Sequence, residues 1–455
     1  MFSGFFKSVV NTTHALKTVH FRDDKGSESF DRLVAAASPD LKNGSSYYVN
    51  PLLSSGHAQT AYSAVNRFDE IDQIYYLRRI FTIESDKKSY EVNGDLMPYD
   101  RWNGRSTIAL DYVVDKSKCI GDQDMFRPES QIRQLPPRTE YIDSAMEQTL
   151  FDNEKPLVIA LHGLAGGSYE SYLRTFLHEI TGPEHNFDGM VLNARGCAHH
   201  TITSPQLFCG LWTNDLRYLI NEHISKKWPN KQIFLIGFSL GGSILANYLG
   251  QEGDHVYKNI KGAATMSCPW DFPQSSTALV ESYLGQKVYS PAMCRNLLRL
   301  LDKHYDSSLH VNEIIAEYKE NPEKFHLKTL RDFDEAFTSK LFGFNCAEEY
   351  YRHASPSQRL LNVRAPLLIF NSKDDPIVGS KNLPHTEIKM NPYVYMVETS
   401  IGGHLGWFNI RNQRWYSKPL SRVFAAMAKC DIESVPLELL HRASDGNWKH
   451  DRIIQ

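Results

Sequence analysis

The sequence predicts an α/β protein with a mostly parallel central sheet and helices on both faces. Short apolar runs recur after Pro156, at 157–161, 190–194, 233–237, 263–267, 366–370 and 393–399. Runs that are apolar on both faces are typical of parallel strands, because helices cover both sides of such a sheet. Helical patterns lie between most of these runs, at 168–181, 213–227 and 240–252. This alternation of strands and helices favours a parallel sheet.

Composition excludes several other classes of protein. The chain has 455 residues, of which 42% are hydrophobic and 23% charged, as in ordinary globular domains. The net charge of -3 gives no reason to expect nucleic acid as a partner. No apolar run has the roughly 18 residues that a membrane-spanning helix needs. The seven cysteines are scattered without a CxxC pair, so we expect reduced thiols and an intracellular, cytoplasmic protein.

The pattern divides the chain into an N-terminal extension (1–44), one catalytic domain (45–430) and a C-terminal tail (431–455). Further strands are predicted at 71–83 and 107–114, and a loop at 115–154. Residues 272–360 interrupt the rhythm of strands with helical patterns. We interpret them as a helical cap insertion at the carboxyl edge of the sheet, where open α/β sheets bind ligands. The alternative is that these helices only thicken the core.

Residues 1–22 carry Lys7, Lys17 and Arg22 and no acidic residue. Their apolar side chains predict one face of a short helix: Phe2, Phe5, Phe6, Val9 and Val10. Two interpretations are open. The segment is a terminal arm of the domain, or it is a membrane-surface or organelle-targeting segment. The second would place the protein at the periphery of a lipid droplet or on the mitochondrial outer surface.

The strongest chemical signal is Gly237-Phe238-Ser239-Leu240-Gly241, where a predicted strand meets a predicted helix. G-x-S-x-G in that context is the nucleophile elbow of the α/β-hydrolase fold. The glycines relieve crowding in a sharp turn that lifts the Ser hydroxyl clear of the sheet. The motif therefore predicts Ser239 as a nucleophile and an α/β-hydrolase fold.

A serine hydroxyl needs a base, and the chain order in this fold is Ser, then an acid, then His. Asp374 and Asp375 follow the fifth apolar run, and Gly402-Gly403-His404 follows the sixth. We predict Asp375 as the acid, because it stands just before the apolar stretch Pro-Ile-Val, and Asp374 as a residue that holds the loop. His404 is predicted as the base.

An oxyanion hole needs two backbone N–H groups aimed at the developing charge. One is predicted from Leu240, which follows the nucleophile. The loop His162-Gly163-Leu164-Ala165-Gly166-Gly167 follows the strand at 157–161 and supplies the other. We assign Leu164 as this second donor, with Gly163 as the lesser candidate, and expect His162 to orient the loop.

Taken together, these motifs resemble the AB hydrolase 4 family of the AB hydrolase superfamily, and its fungal branch in particular. The resemblance runs from about residue 45 to about residue 425. It rests on HGLAGGSYESYLR, NARGC, GFSLGGSILANYLG, the Asp-Asp-Pro near 375, Gly-Gly-His at 404, EEYYRHAS at 348–355, and GHAQT at 56–60. In the last of these, Ala58 replaces the usual Leu. This branch includes medium-chain fatty acid ethyl ester synthase/esterases and a monoacylglycerol lipase.

The resemblance implies Ser239, Asp375 and His404 as a catalytic triad. It implies a lipid ester as the partner: short- to medium-chain acyl esters, monoacylglycerols among them. No metal or organic cofactor is implied, and no protein partner is identified. Two alternatives stay open: an alcohol O-acyltransferase that makes medium-chain fatty acid ethyl esters, and a catalytically inactive lipid-binding or scaffold module.

Overall fold

The computed structural model describes residues 6–24, 26–66, 68–84, 91–92, 95–96, 105–119, 135–381, 383–433, 435, 448–449 and 452–453. Three parts of the predicted organisation lie outside these residues: positions 1–5, part of the predicted loop (120–134) and most of the predicted tail.

The strands include one for each apolar run that the sequence predicted. In chain order they are β1 (Lys7–His14), β2 (His20–Asp23), β3 (Gly26–Ser29), β4 (Ser46–Tyr48), β5 (Tyr75–Glu84), β6 (Glu91–Val92), β7 (Asp95–Leu96), β8 (Arg105–Val114), β9 (Thr139–Tyr141), β10 (Leu157–Leu161), β11 (Asp188–Asn193), β12 (Ile233–Phe238), β13 (Ile260–Met266), β14 (Leu367–Ser372), β15 (Val394–Thr399), β16 (Asp431–Ile432), β17 (Trp448–Lys449) and β18 (Arg452–Ile453).

Eleven of the described strands form one central sheet, in the order β4-β1-β15-β14-β13-β12-β10-β11-β8-β5-β9. The six strands from β15 to β11 are mutually parallel. β1 and β8 join the two edges of this parallel block in the antiparallel sense. The expected mostly parallel α/β sheet is therefore confirmed.

The helices lie on both faces of the sheet and over its carboxyl edge. They are α1 (Phe30–Ala37), α2 (Gly56–Val65), α3 (Ser144–Thr149), α4 (Ser171–Thr181), α5 (Asn214–Tyr218), α6 (Ser225–Lys227), α7 (Leu240–Glu252), α8 (Phe272–Glu281), α9 (Ser290–His304), α10 (Glu313–Glu320), α11 (Leu330–Phe333), α12 (Ser339–Leu341), α13 (Ala347–Ala354), α14 (His385–Met390) and α15 (Ser417–Met427). Among the described residues, no helix combines the length and the apolar character needed to cross a membrane. All seven cysteines are free thiols.

The N-terminal segment differs from the short helix that its apolar residues predicted. Residues 7–14 form strand β1, which pairs with β15 on one side and β4 on the other. Val10 on this strand is fully buried. The exposure of the strand alternates at its start, and alternation of period two fits a strand better than a helix. Part of the predicted N-terminal extension thus belongs to the central sheet.

The predicted loop at 115–154 also contains regular structure. β9 pairs with β5 at the edge of the sheet, and α3 follows it. Asp143 caps α3 by accepting a hydrogen bond from the Met146 N–H at 2.7 Å. Both elements are too short and too polar to give a periodic signal in the sequence.

The apolar core lies in two layers, one on each side of the sheet. A third cluster lies in the cap, where side chains from α9, α11 and α13 pack on the loop between β11 and α5. Phe208 and Trp212 of that loop are buried in this cluster. The cap is therefore built on a second segment, 194–213, as well as on residues 272–360.

A buried ion pair fixes the loops at the carboxyl end of β10 and β11. The side chains of Arg78 and Asp111 are fully buried, and two nitrogens of Arg78 each lie 2.6 Å from an oxygen of Asp111. Asp111 also accepts hydrogen bonds from Ser168 Oγ at 2.5 Å and from Asn193 Nδ2 at 2.8 Å. Ser168 ends the Gly-rich loop after β10, so this carboxylate ties that loop to the sheet.

Asp111→Asn should lower the free energy of unfolding by about 3–5 kcal/mol, because it leaves the Arg78 guanidinium buried without a counter-charge. Urea denaturation followed by circular dichroism measures the change. The control is Asp40→Asn, which removes an exposed ion pair with Arg422 and should cost less than about 1 kcal/mol. Equal effects of the two substitutions would contradict the structural role given to Asp111.

Candidate active site

Ser239 lies in a sharp turn between β12 and α7. Its backbone has φ 51° and ψ -119°, which is rare for a residue with a side chain. A Cβ atom at Gly237 would lie 2.3 Å from the carbonyl oxygen of Gly241. A Cβ at Gly241 would lie 2.5 Å from the carbonyl oxygens of Leu161 and His162. The turn therefore needs glycine at both positions, as the motif predicted.

The structure brings Ser239, His404 and Asp375 into one hydrogen-bonded chain. His404 Nε2 lies 2.9 Å from Ser239 Oγ, and Nδ1 of the same ring lies 2.9 Å from Asp375 Oδ2. The side chain of Asp375 is fully buried and that of His404 is 13% exposed. The second oxygen of Asp375 accepts hydrogen bonds from the N–H groups of Ile377 and Val378. These bonds orient the carboxylate toward the imidazole.

Asp374 holds the histidine loop, as the sequence suggested. Its Oδ1 accepts hydrogen bonds from the N–H groups of Gly402 and Gly403, both at 2.9 Å, and from Ser372 Oγ at 2.6 Å. The two neighbouring carboxylates therefore have different partners: Asp375 contacts the imidazole and Asp374 contacts the backbone that carries it.

The GHAQT segment (56–60) supports the site through contacts that its sequence does not predict. Thr60 Oγ1 accepts a hydrogen bond from the His404 N–H at 2.9 Å. Gln59 Oε1 accepts one from the Phe408 N–H at 2.7 Å. A Cβ atom at Gly56 would lie 1.7 Å from the carbonyl oxygen of Asp374, so the backbones meet closely there. The sequence identifies this segment only as a motif of the family. Its contacts could not be predicted, because its partners lie more than 300 residues away in the chain.

The loop predicted to hold the second oxyanion donor runs beside the serine. The Gly163 N–H donates to Tyr172 Oη at 2.9 Å, and a Cβ at Gly163 would lie 3.4 Å from Ser239 Cβ. Gly163 therefore has a partner for its N–H, which favours Leu164 over Gly163 as the donor. Leu164 and Leu240 both line the cavity that contains Ser239.

His162 orients the loop and is not positioned as the base. Its Nδ1 lies 2.7 Å from the Gly163 carbonyl oxygen, and its Nε2 accepts a hydrogen bond from the Ala194 N–H at 3.0 Å. Burial lowers the pKa of the His162 imidazole to about 4, although the Gly163 carbonyl and Asp111 oppose the shift. The ring is therefore neutral near pH 7 and links the loops after β10 and β11.

A cavity of about 120 Å³ lies between the cap and the carboxyl edge of the sheet. Its walls are mainly aliphatic and aromatic, and Ser239 lies in them. The apolar lining comes from the nucleophile region and from α8, α9 and the segment 330–351: Leu164, Leu240, Phe272, Leu279, Met293, Leu297, Leu300, Leu301, Phe333, Leu341 and Phe342. This arrangement suits an apolar chain attached to a reactive carbonyl.

The site itself has no cluster of metal-ligand side chains among the described residues. Within the part of the chain that the structure describes, the residues close enough to share a metal ion are Glu179, Glu184 and His185, at and after the end of α4. These residues do not line the cavity.

Known proteins similar in sequence to this chain include a lipase, an ester synthase/esterase and a phospholipase. A monoacylglycerol lipase of Saccharomyces cerevisiae is 39% identical over 93% of this chain and 92% of its own length. The medium-chain fatty acid ethyl ester synthase/esterase 2 of the same organism is 31% identical over 93% of this chain and 95% of its own. The human phospholipase ABHD3 is 32% identical over 61% of this chain and 65% of its own.

The resemblance expected from the motifs is thus confirmed over most of the chain. The family model described as alpha/beta hydrolase fold matches residues 156–408, which contain the elbow serine, both candidate acids and the histidine. On the strength of this match and of the two yeast relatives, the chain belongs to the alpha/beta hydrolase fold family.

Proposed function

We propose that this protein hydrolyses short- to medium-chain acyl esters, monoacylglycerols among them, through an acyl-serine intermediate. The general activity is that of a serine hydrolase, a carboxylic ester hydrolase of the lipase and esterase type. The observation that carries the proposal is the hydrogen-bonded chain from Ser239 through His404 to Asp375 at the wall of an apolar cavity.

In this mechanism Ser239 Oγ attacks the ester carbonyl while His404 Nε2 takes its proton. Asp375 keeps the imidazole in the tautomer whose Nδ1 carries hydrogen, and it stabilises the imidazolium that forms. The backbone N–H groups of Leu164 and Leu240 donate hydrogen bonds to the oxyanion. Leu240 is the first residue of α7, and the first N–H groups of a helix have no partner within the helix.

The tetrahedral intermediate then collapses. The alcohol leaves with the proton returned by His404, and the acyl group stays on Ser239. Water, activated by the same histidine, attacks the acyl-enzyme and releases the fatty acid. The aliphatic walls of the cavity remove the acyl chain from water, at roughly 0.8 kcal/mol for each buried methylene.

A second candidate activity is transfer of the acyl group to an alcohol. One yeast relative is named as an ethyl ester synthase as well as an esterase. The chemistry differs only in the acceptor, because an alcohol attacks the same acyl-enzyme in place of water. A third candidate, an inactive binding or scaffold module, is disfavoured by the aligned hydrogen bonds among Ser239, His404 and Asp375.

We propose that the enzyme works in peripheral contact with a lipid surface, such as a lipid droplet or the mitochondrial outer surface. The segment between α8 and α9 exposes Tyr283 at 77% and Leu284 at 38%. α8 and α9, which flank this segment, also line the cavity that contains Ser239. Residues 7–14 are paired in the sheet, which disfavours the N-terminal segment as the anchor.

Ser239→Ala should reduce ester hydrolysis by about four orders of magnitude or more, because the nucleophile is lost. The assay uses p-nitrophenyl esters from C2 to C16 and monoacylglycerols, and labelling by a fluorophosphonate probe reports the serine directly. Ser225, a serine of α6 outside the cavity lining, supplies the matched control Ser225→Ala, which is expected to keep both activity and labelling. A variant at position 239 that turns over esters like the wild type would refute the proposed triad.

The same assay with added ethanol separates hydrolysis from acyl transfer. Free fatty acid as the main product supports the hydrolase. Ethyl ester as the main product would make acyl transfer the principal activity while leaving the role of Ser239 unchanged.

Tyr172→Phe should lower kcat about tenfold with little change in KM, because the Gly163 N–H loses its partner and the oxyanion loop loses its fixed geometry. Steady-state kinetics on one monoacylglycerol gives both constants. Tyr395→Phe is the control: it removes a buried tyrosine hydroxyl whose partner is the Leu41 carbonyl, outside the site. A rise in KM without loss of kcat would assign Tyr172 to substrate binding instead.

Leu284→Asp combined with Tyr283→Asp should reduce binding to phosphatidylcholine vesicles severalfold, because two exposed apolar side chains become charged. Co-flotation with the vesicles measures binding, and hydrolysis of a soluble short-chain ester reports that the site is intact. The matched control places the same changes at Leu52 and Tyr48, which are also exposed. Unchanged flotation of the first double variant would exclude this segment as the contact.

A further inference from the structure

The cap places one carboxylate in the wall of the cavity that contains Ser239. Asp334 begins a π-helical segment, Asp334–Thr338, between α11 and α12. Its side chain lines the cavity, and the residue is only 7% exposed. Irregular helical turns of this kind are frequent at functional sites.

Two hydroxyl groups donate to this carboxylate. Thr338 Oγ1 donates to Asp334 Oδ1 at 2.6 Å, and Tyr351 Oη donates to Oδ2 at 2.8 Å. Both donors also line the cavity. Within the described part of the chain, no Lys, Arg or His forms an ion pair with Asp334. An ionised carboxylate accepts about four hydrogen bonds, so it has capacity for a further donor.

The apolar surroundings make burial of the Asp334 carboxylate energetically unfavourable unless its oxygens accept hydrogen bonds. Phe333, which precedes Asp334 in the chain, and Leu341 of α12 are apolar and line the same cavity. Burial raises the pKa of Asp334 to about 6, against the hydrogen bonds from Thr338 and Tyr351, so the group is mainly ionised above neutral pH. Ligand cavities use a few polar groups of this kind to fix the orientation of an otherwise apolar ligand.

We propose that Asp334, with Tyr351 and Thr338, forms a subsite that binds a hydroxyl group of the lipid ester. The inference rests on the proposed ester hydrolase function and adds to it the side chains that distinguish an ester with a free hydroxyl from one without. A substrate hydroxyl donates to the carboxylate, and the oxygens of Tyr351 and Thr338, whose hydrogens point to Asp334, can accept from a second hydroxyl. A hydroxyl group is also small enough to enter the cavity with an aliphatic chain.

The hydroxyl can come from either side of the ester. It is a free hydroxyl of a glycerol ester, or it is a hydroxyl on the acyl chain. Three substrates distinguish these sources: n-propyl octanoate, 1-octanoylglycerol, which adds two hydroxyls to the alcohol, and n-propyl 8-hydroxyoctanoate, which adds one to the acyl chain. The readout is the ratio of kcat/KM for each hydroxyl-bearing ester to that for n-propyl octanoate.

For the wild type, we expect at least one of the two ratios to be about 10 or more, because a hydrogen bond to a buried charge discriminates strongly against a ligand that lacks the donor. A high ratio for the glycerol ester places the subsite on the alcohol side. A high ratio for the hydroxyacyl ester places it on the acyl side. Ratios near 1 for both would overturn the proposal without any variant, while hydrolysis of n-propyl octanoate would still support the ester hydrolase.

Asp334→Asn should bring the raised ratio down at least severalfold, because the amide is a weaker acceptor and no longer carries charge. Asp302→Asn is the matched control: it removes an exposed carboxylate of the cap that pairs with Lys319, outside the cavity. It should leave all three rates unchanged.

An unchanged ratio in the Asp334→Asn variant would assign Asp334 to holding the cap together and would overturn the subsite. If that variant does not fold, as judged by circular dichroism, Thr338→Val replaces it, and the same fall in the ratio is expected. Failure of the wild type to hydrolyse any of the three esters would count against the proposed function itself.

Discussion

The backbone of Ser239 turns with a positive φ, and the chemistry of the site depends on that turn. The conformation costs of order 1–3 kcal/mol, so the surrounding structure must enforce it. Gly237 and Gly241 make it sterically possible, because a side chain at either position would collide with neighbouring backbone. The Ser239 N–H donates to the Met266 carbonyl at 2.8 Å, which fixes the turn to the end of β13. The serine hydroxyl is thereby held above the sheet, at the start of α7.

The histidine reaches this hydroxyl only because several separate segments hold its loop. Asp374 binds the two glycines before His404, and Thr60 binds the His404 backbone. Leu405 and Trp407 also have positive φ values, of 58° and 51°. The N–H groups of Gly402, Gly403 and His404 donate to side chains instead of to a regular backbone partner, and the Trp407 N–H closes the loop by donating to the Gly402 carbonyl at 2.9 Å. The position of the imidazole is therefore set by the hydrogen bonds that hold its loop.

The cap supplies the substrate environment, and it is anchored to the nucleophile helix. Asn247 on α7 donates hydrogen bonds to the Gly210 carbonyl at 2.9 Å and to the Ala354 carbonyl at 2.8 Å. The first lies in the loop after β11 and the second at the end of α13, so one side chain ties both halves of the cap to the helix behind Ser239. The shape of the cavity and the position of the serine are therefore set by the same element.

Much of the fold and of the site followed from local patterns in the sequence. Parallel strands need apolar residues on both faces, and the elbow needs its glycines, so both are visible within a few residues. The order Ser239, Asp375, His404 also followed, because each residue lies in the turn or loop that comes after a strand. The preference for Asp375 over Asp374 needed only the apolar residues that follow it. These features are encoded by neighbours along the chain.

The tertiary structure decided the features whose partners are distant in sequence. Strand β1 belongs to the sheet because it pairs with β15, almost 400 residues later in the chain. Thr60 supports His404 across a separation of 344 residues. In the sequence, Asp334 looks like an ordinary acidic residue of a polar helix. Only the folding of the cap places it in the cavity wall. Such contacts leave no local pattern in the sequence. The residues around either partner look the same as those around a polar residue on the protein surface.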